Sequence, residues 1–163
     1  MTPRQRALVG ELRRAQTPSD RVPTSVSRPL AEGGDGGVNV EFARHVDVAG
    51  RGDAWIAPGD GRICLVTTDP QLGADGGSTN KCRRLAEVER GMLYTTWISG
   101  ENPETGATTV VGVVPNGVRS VVVTDDDGSR RVAGVRHNLY VVRGGRARWV
   151  DFDSPRGHRR VKV

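Results

Sequence analysis

The sequence predicts a mainly β protein, an antiparallel sandwich or partly open barrel of about nine strands with one short helix and an N-terminal helical leader. The clearest signal lies at 107–142, where runs of β-branched and apolar residues are joined by short turns. Asn116-Gly117 and Asp127-Gly128 form two of these turns, and both pairs accept the positive φ angles of a tight hairpin. The 22 glycines and 9 prolines also suit a chain of strands and turns.

The first 37 residues are predicted to form an Arg-rich helical leader and a linker. Thr2 is a good N-cap and Pro3 a good first helical residue, so we expect a helix over 5–15. Prolines end that helix, and 17–37 is rich in proline, serine and glycine, which is typical of a partly disordered linker.

The β domain is predicted to span 38–153 and to be followed by a basic tail at 154–163. Its strands are short runs with apolar alternation or continuous apolar character. They are expected at 38–42, 54–57, 63–67, 92–98, 108–114, 118–124, 132–135, 139–142 and 146–152. The one helix of the domain is expected at 80–90, with Gly91 as its C-terminal stop, and loops are expected at 73–77 and 100–106.

The formal net charge is +5, and the basic residues concentrate at the two ends of the chain. The tail could contact nucleic acid, an acidic polymer or an anionic membrane surface through four side chains: Arg156, Arg159, Arg160 and Lys162. Arg83 and Arg84 lie in the first turns of the predicted helix and mark another possible anion site. A solvated tail and a solvated helix face explain the same residues, and we regard these as the default.

Two cysteines, Cys64 and Cys82, permit two interpretations. In an exported protein they would form a disulfide, and in a cytosolic protein they would be two buried thiols. The sequence does not choose between them.

Three histidines are the natural candidates for acid–base chemistry or metal binding: His45, His137 and His158. They fall in different predicted elements, and no short His/Cys/Asp spacing indicates the convergent ligands that a metal requires. We therefore predict no metal, no cofactor and no catalytic residues. An enzyme would need a pocket that gathers at least two groups from His45, His137, Asp151, Asp153 and the cysteines.

No apolar run approaches the roughly 18 residues of a membrane-spanning helix. The start of the chain also lacks the apolar region of a secretion signal, so either Met1 is not the true start or the protein remains cytoplasmic.

Four segments resemble a family of uncharacterised actinobacterial exported proteins, and they cover much of 11–142. They are 12–21 (LRRAQTPSDR), 54–66, 112–118 (GVVPNGV) and 135–140 (VRHNLY). The resemblance implies an extracytoplasmic domain in which Cys64 and Cys82 are paired, and it implies no activity. This chain departs from the family by carrying Asn116 where aspartate is usual and by lacking an export segment.

The sequence therefore favours a non-enzymatic binding or structural module of the cell envelope, whose partner is an envelope component or another protein. One alternative is a cytosolic nucleic-acid or polyanion binder that uses the basic termini. A second alternative is an enzyme of unknown type.

Overall fold

The computed structural model describes residues 1–32, 37–48, 52–68, 78–99 and 107–163. Within these residues, α-helices cover Pro3–Leu8 (α1), Thr24–Glu32 (α2) and Leu85–Glu89 (α3), and 3-10 turns cover Gly10–Arg13, Pro18–Asp20 and Val40–Phe42. The strands are Arg44–Asp47 (β1), Asp53–Pro58 (β2), Arg62–Thr68 (β3), Ser78–Arg84 (β4), Leu93–Ser99 (β5), Ala107–Val113 (β6), Ser120–Asp125 (β7), Arg130–Gly134 (β8), Leu139–Arg143 (β9), Ala147–Ser154 (β10) and Gly157–Lys162 (β11). Among the described helices, none is long and apolar enough to cross a membrane.

The strands form three antiparallel sheets, which confirms the predicted mainly β, sandwich-like fold. Sheet 1 has the order β1-β2-β3-β4, sheet 2 the order β5-β6-β9, and sheet 3 the order β11-β10-β7-β8. The predicted turns at Asn116-Gly117 and Asp127-Gly128 both hold their glycine at positive φ, as tight turns require.

Sheet 2 lies between the other two sheets, and its central strand β6 is buried on both faces. Val111 and Val113 of β6 pack with Ile56 and Leu65 of sheet 1. Val110, on the opposite face of β6, packs with residues of sheet 3 such as Phe152. Because successive side chains of a strand point to opposite faces, this arrangement explains the continuous apolar run of β6.

The outer face of sheet 1 is covered by the N-terminal part of the chain. Val26 of α2 packs against Trp55, Cys64 and Val66, which point outward from β2 and β3. On the inner face, Val9 and Leu12 join the core between sheets 1 and 2. The first 32 residues are therefore part of the packed protein.

The predicted leader and linker differ from the observed structure. The helix expected at 5–15 ends at Leu8, because Val9 is extended and fully buried in the core. The side-chain amide of Gln5 also donates to the backbone carbonyls of Gly59 and Arg62, both at 2.7 Å. The segment predicted as a linker contains α2, while its residues 33–36 lie outside the described part of the chain.

Two further element predictions were wrong. The strand expected at 38–42 contains a 3-10 turn over 40–42, and Val38 and Val40 pack beneath α2 instead of pairing in a sheet. The helix expected at 80–90 begins only at Leu85, because 78–84 pairs with β3 along its full length. Gly91 does follow the helix at positive φ, as predicted. The loops expected at 73–77 and 100–106 lie outside the described residues.

Residues 154–163, predicted to be a basic tail, contribute an integral strand. β11 pairs with β10 from Gly157 to Lys162, and Val161 is buried in the core beneath sheet 3. The positive charge of this segment is therefore presented on a sheet.

Candidate functional site

A buried ion pair anchors the N-terminal segment to sheet 1. Asp20 is only 1% exposed and receives two hydrogen bonds from the Arg14 guanidinium, at 2.6 and 2.8 Å. It also accepts hydrogen bonds from the backbone N–H groups of Thr17 at 2.6 Å and of His45 at 2.8 Å. His45 lies in β1, so this one carboxylate joins the segment to the edge of the sheet.

The charges of this pair are strongly stabilised. Burial opposes ionisation of Asp20, but hydrogen bonds from Arg14, Thr17 and His45 outweigh it and hold the pKa of Asp20 well below its usual range. The hydrogen bond to Asp20 raises the pKa of Arg14 in turn. Burial lowers the pKa of the neighbouring Arg44, whose guanidinium donates to the carbonyls of Arg14, Phe42 and Ala43.

The buried Glu11 carboxylate extends this cluster to the turn between β8 and β9. One of its oxygens accepts from Arg14 Nε at 2.5 Å, and the other lies 2.8 Å from His137 Nδ1. His137 and Asn138 both have positive φ, and Arg136 and Leu139 exchange two backbone hydrogen bonds around them. This two-residue turn presents a His137 side chain that is 61% exposed.

Asn116 fastens α1 to the rest of the protein. Its side chain donates to the Ala7 carbonyl at 2.7 Å, and its oxygen accepts from the Gly10 N–H at 2.7 Å and from Asn138 at 3.0 Å. An ionised aspartate could not donate to the Ala7 carbonyl, which gives a reason for Asn at this position. Three of the four segments behind the family resemblance thus meet in one polar cluster.

Beside this cluster lies a groove of about 530 Å³, which we call the edge groove. It runs between β1 and the chain at 134–141, and its charged and hydroxyl-bearing lining residues are Glu11, Arg14, Thr17, Ser19, His45, Asp47, Arg136 and His137. The groove brings together His45 and His137, two of the groups that an enzyme would need. Among the described residues, no serine, threonine or cysteine is hydrogen-bonded to the His137 ring.

The outer side of sheet 3 is a second candidate surface, which we call the open face. Cross-strand pairing places on this side the residues His158, Arg160 and Lys162 of β11, Trp149, Asp151 and Asp153 of β10, Ser120, Val122 and Thr124 of β7, and Arg130 and Val132 of β8. Val132 is 74% exposed, and a depression of about 370 Å³ lies over Val122. The inner side of the same strands forms the core against sheet 2.

Side-chain contacts organise the open face around Asp151. This nearly buried carboxylate accepts from Arg160 Nε at 2.9 Å and lies 3.3 Å from His158 Nε2. The Arg160 guanidinium lies over the Trp149 ring, 5.5 Å from its centroid. Arg130 and Lys162 have no ion-pair partner among the described residues, so their charges are available to a ligand.

The six basic residues predicted as anion contacts do not form one cluster. Arg160 and Lys162 share the open face. Arg156 forms an ion pair with Glu89, and Arg159 donates to the backbone carbonyls of Arg156 and His158. Arg83 and Arg84 lie on β4 in sheet 1 and not in the first turns of a helix as expected, although Arg84 is the N-cap of α3.

Cys64 and Cys82 form a disulfide, and they lie directly opposite each other on β3 and β4. Both side chains belong to the layer beneath α2, and neither lines the edge groove or the depression of the open face. Such bonds are typical of proteins from oxidising compartments.

The described residues contain no group of three or more His, Cys, Asp or Glu side chains that could hold a metal ion. His158 lies on the open face between Asp151 and Asp153, away from His45 and His137. Comparisons with protein-family models, with curated proteins and with solved structures found no match to this chain.

Sequence reasoning missed Glu11, Asp20 and Arg130 as site residues. The spacing of Arg14 and Asp20 around a proline turn was a local signal for the ion pair. Arg130 had no such signal, because only the pairing of β7 with β8 places it on the same face as β11.

Proposed function

We propose that this protein is a non-enzymatic binding module of the cell envelope, and that its open face binds an anionic polymer. The observation that carries the proposal is that Arg130 and Arg160 line a depression on an exposed sheet surface, with Lys162 on the same side of the sheet. The ligand class is a polymer with repeated phosphate or carboxylate groups, such as a polyol phosphate or an acidic polysaccharide.

The chemistry of the face supports a repeating anion. Arg160 is held in place by Asp151 and by Trp149, so its outward N–H groups are preorganised. Arg130 and Lys162 lie on opposite edge strands of sheet 3, so a ligand that contacts both must cross the sheet. A polymer satisfies this geometry better than a small anion.

The envelope location is supported by the disulfide and by the family resemblance. A covalent Cys64–Cys82 pair favours an oxidising compartment over the cytosol. The cytosolic alternative would use the same positive charges to bind nucleic acid, so the test must separate the two classes of ligand.

The test compares the wild type with a charge-reversal variant, Arg130→Glu with Lys162→Glu, on immobilised polyglycerol phosphate. These substitutions leave the Asp151–Arg160 pair intact. We expect the wild type to bind at low salt, and we expect the variant to lose about tenfold or more in affinity because attraction becomes repulsion.

The matched control is Arg4→Glu with Arg21→Glu, two exposed residues outside both candidate surfaces, which changes the net charge by the same amount. Equal losses in both variants would mean that only net charge matters, and the proposal would fail. Tighter binding to duplex DNA than to polyglycerol phosphate would support the cytosolic alternative instead.

A further inference from the structure

We propose that the edge groove is a second binding site, which accepts an extended acidic peptide as an added strand beside β9. This site is distinct from the open face and does not depend on the function proposed for it. Four consecutive residues of β1 and its continuation, 45–48, line one wall of the groove, and Leu139 and Val141 of β9 line the other. At about 3.3 Å per residue, such a wall matches roughly four residues of extended chain.

The sheet registers leave an edge of β9 without a partner. The Asn138 carbonyl accepts from the Val114 N–H, so these two residues form a hydrogen-bonded pair of the antiparallel ladder. Such pairs recur at every second residue, which makes Tyr140 with Gly112 and Val142 with Val110 the next hydrogen-bonded pairs. The backbone groups of Leu139, Val141 and Arg143 therefore point away from β6.

Contacts of the two outer residues support this orientation. Leu139 exchanges hydrogen bonds with Arg136, and the Arg143 carbonyl accepts from Arg131 Nη1 at 2.5 Å. Between them, the N–H and C=O groups of Val141 have no hydrogen-bond partner among the described residues. Val141 is half-buried, and unpaired backbone groups at such a position favour pairing with an added strand.

Side-chain contacts fix the position of the groove walls at both ends. At one end Arg143 Nη2 donates to the Val48 carbonyl at 2.6 Å, which joins β9 to the end of β1. At the other end Asp20 accepts from the His45 N–H, and Glu11 contacts His137. No backbone hydrogen bond joins β1 to β9 between these ties within the described residues.

The rim indicates the charge of the peptide. The exposed Arg136 side chain has no ion-pair partner among the described residues, and it adjoins His137. The carboxylate of Glu11 is already occupied by Arg14 and His137. Asp47, the other carboxylate that lines the groove, also has a partner. The free charge at the rim is therefore positive and fits an acidic side chain of the peptide, while the half-buried Val141 offers an apolar contact below it.

The experiment is an NMR titration of the ¹⁵N-labelled full chain with a capped Val-Glu-Val-Glu peptide at millimolar concentration. We expect shifts at Leu139, Val141 and His45, with little change on the open face. Two control peptides replace glutamate by lysine or carry N-methyl groups on the backbone, and we expect both to bind much more weakly.

Two variants test the protein side. Val141→Pro removes the N–H that would pair with the peptide but takes no hydrogen bond from the β6–β9 ladder, so binding should be lost. Arg136→Glu should weaken binding about fivefold, and the matched Arg4→Glu, at an exposed residue of α1 outside both candidate surfaces, should leave it unchanged.

If the NMR spectrum of Val141→Pro is that of an unfolded chain, the proposal is tested with the Arg136→Glu variant and the N-methylated peptide instead. The proposal is overturned if the acidic peptide causes no shift along β9. It is equally overturned if the N-methylated peptide binds as well as the parent.

Discussion

Asp20 is the residue through which the N-terminal segment is fastened to the edge of sheet 1. It is buried, it is ionised, and it accepts hydrogen bonds from Arg14, Thr17 and His45. Removing such an acceptor leaves several buried donors without a partner. The loss in folding free energy is then far larger than the net stabilisation that the ion pair provides relative to two neutral groups. The ordered N-terminal segment depends on this carboxylate.

We predict that Asp20→Asn lowers the free energy of unfolding by about 3 kcal/mol at neutral pH. Because the pKa of Asp20 is lower in the folded protein, its contribution is complete above the unfolded value near pH 4 and is lost as the pH falls further. Urea unfolding at several pH values should therefore show the gap between wild type and variant narrowing in acid.

Asp60→Asn is the matched control. Asp60 is exposed in the turn between β2 and β3, so this substitution should change the free energy of unfolding little at any pH. A gap that stays constant down to strongly acid pH would contradict the assigned role of the Asp20 carboxylate.

At the scale of the elements, the middle sheet depends on close packing between two of its own strands. Gly112 on β6 lies opposite Tyr140 on β9, and a Cβ atom at Gly112 would overlap the buried tyrosine ring. The φ of Gly112 is not positive, so the backbone conformation does not require glycine at this position. The close approach of the Tyr140 ring does require it.

Gly112→Ala should therefore destabilise the protein by about 3 kcal/mol, or prevent folding, because the added methyl group overlaps a buried ring that would have to move. Gly134→Ala is the control, because it also places a methyl group on a strand but meets no atom within 4 Å. Thermal unfolding measures both, and similar melting temperatures for the two variants would refute this packing argument.

The sequence predicted those elements whose signals are local. The turns at Asn116-Gly117 and Asp127-Gly128 were correct because their residues set the backbone geometry themselves. The helix predicted at 80–90 was wrong because β4 is fixed by pairing with β3 and by the disulfide, and neither is visible in a local pattern. The two candidate surfaces likewise depend on contacts between distant segments, such as Glu11 with His137.

For the whole molecule, the disulfide links neighbouring strands across a sequence separation of 18 residues. Reduction should lower the free energy of unfolding by about 3 kcal/mol, on the chain-entropy model, while the native spectrum persists. Urea unfolding with and without dithiothreitol measures this difference, and the Cys64→Ser with Cys82→Ser variant should match the reduced protein. Unchanged stability would mean that the bond does not contribute to the fold.

The central claim is that the open face of sheet 3 binds an anionic polymer. The most direct measurement is an NMR titration of the ¹⁵N-labelled protein with polyglycerol phosphate, following backbone amides and the Trp149 indole. We predict that the largest shifts fall on Arg130, Arg160, Lys162 and the Trp149 indole. No shift at saturating polymer, or shifts confined to the N-terminal segment, would contradict the claim.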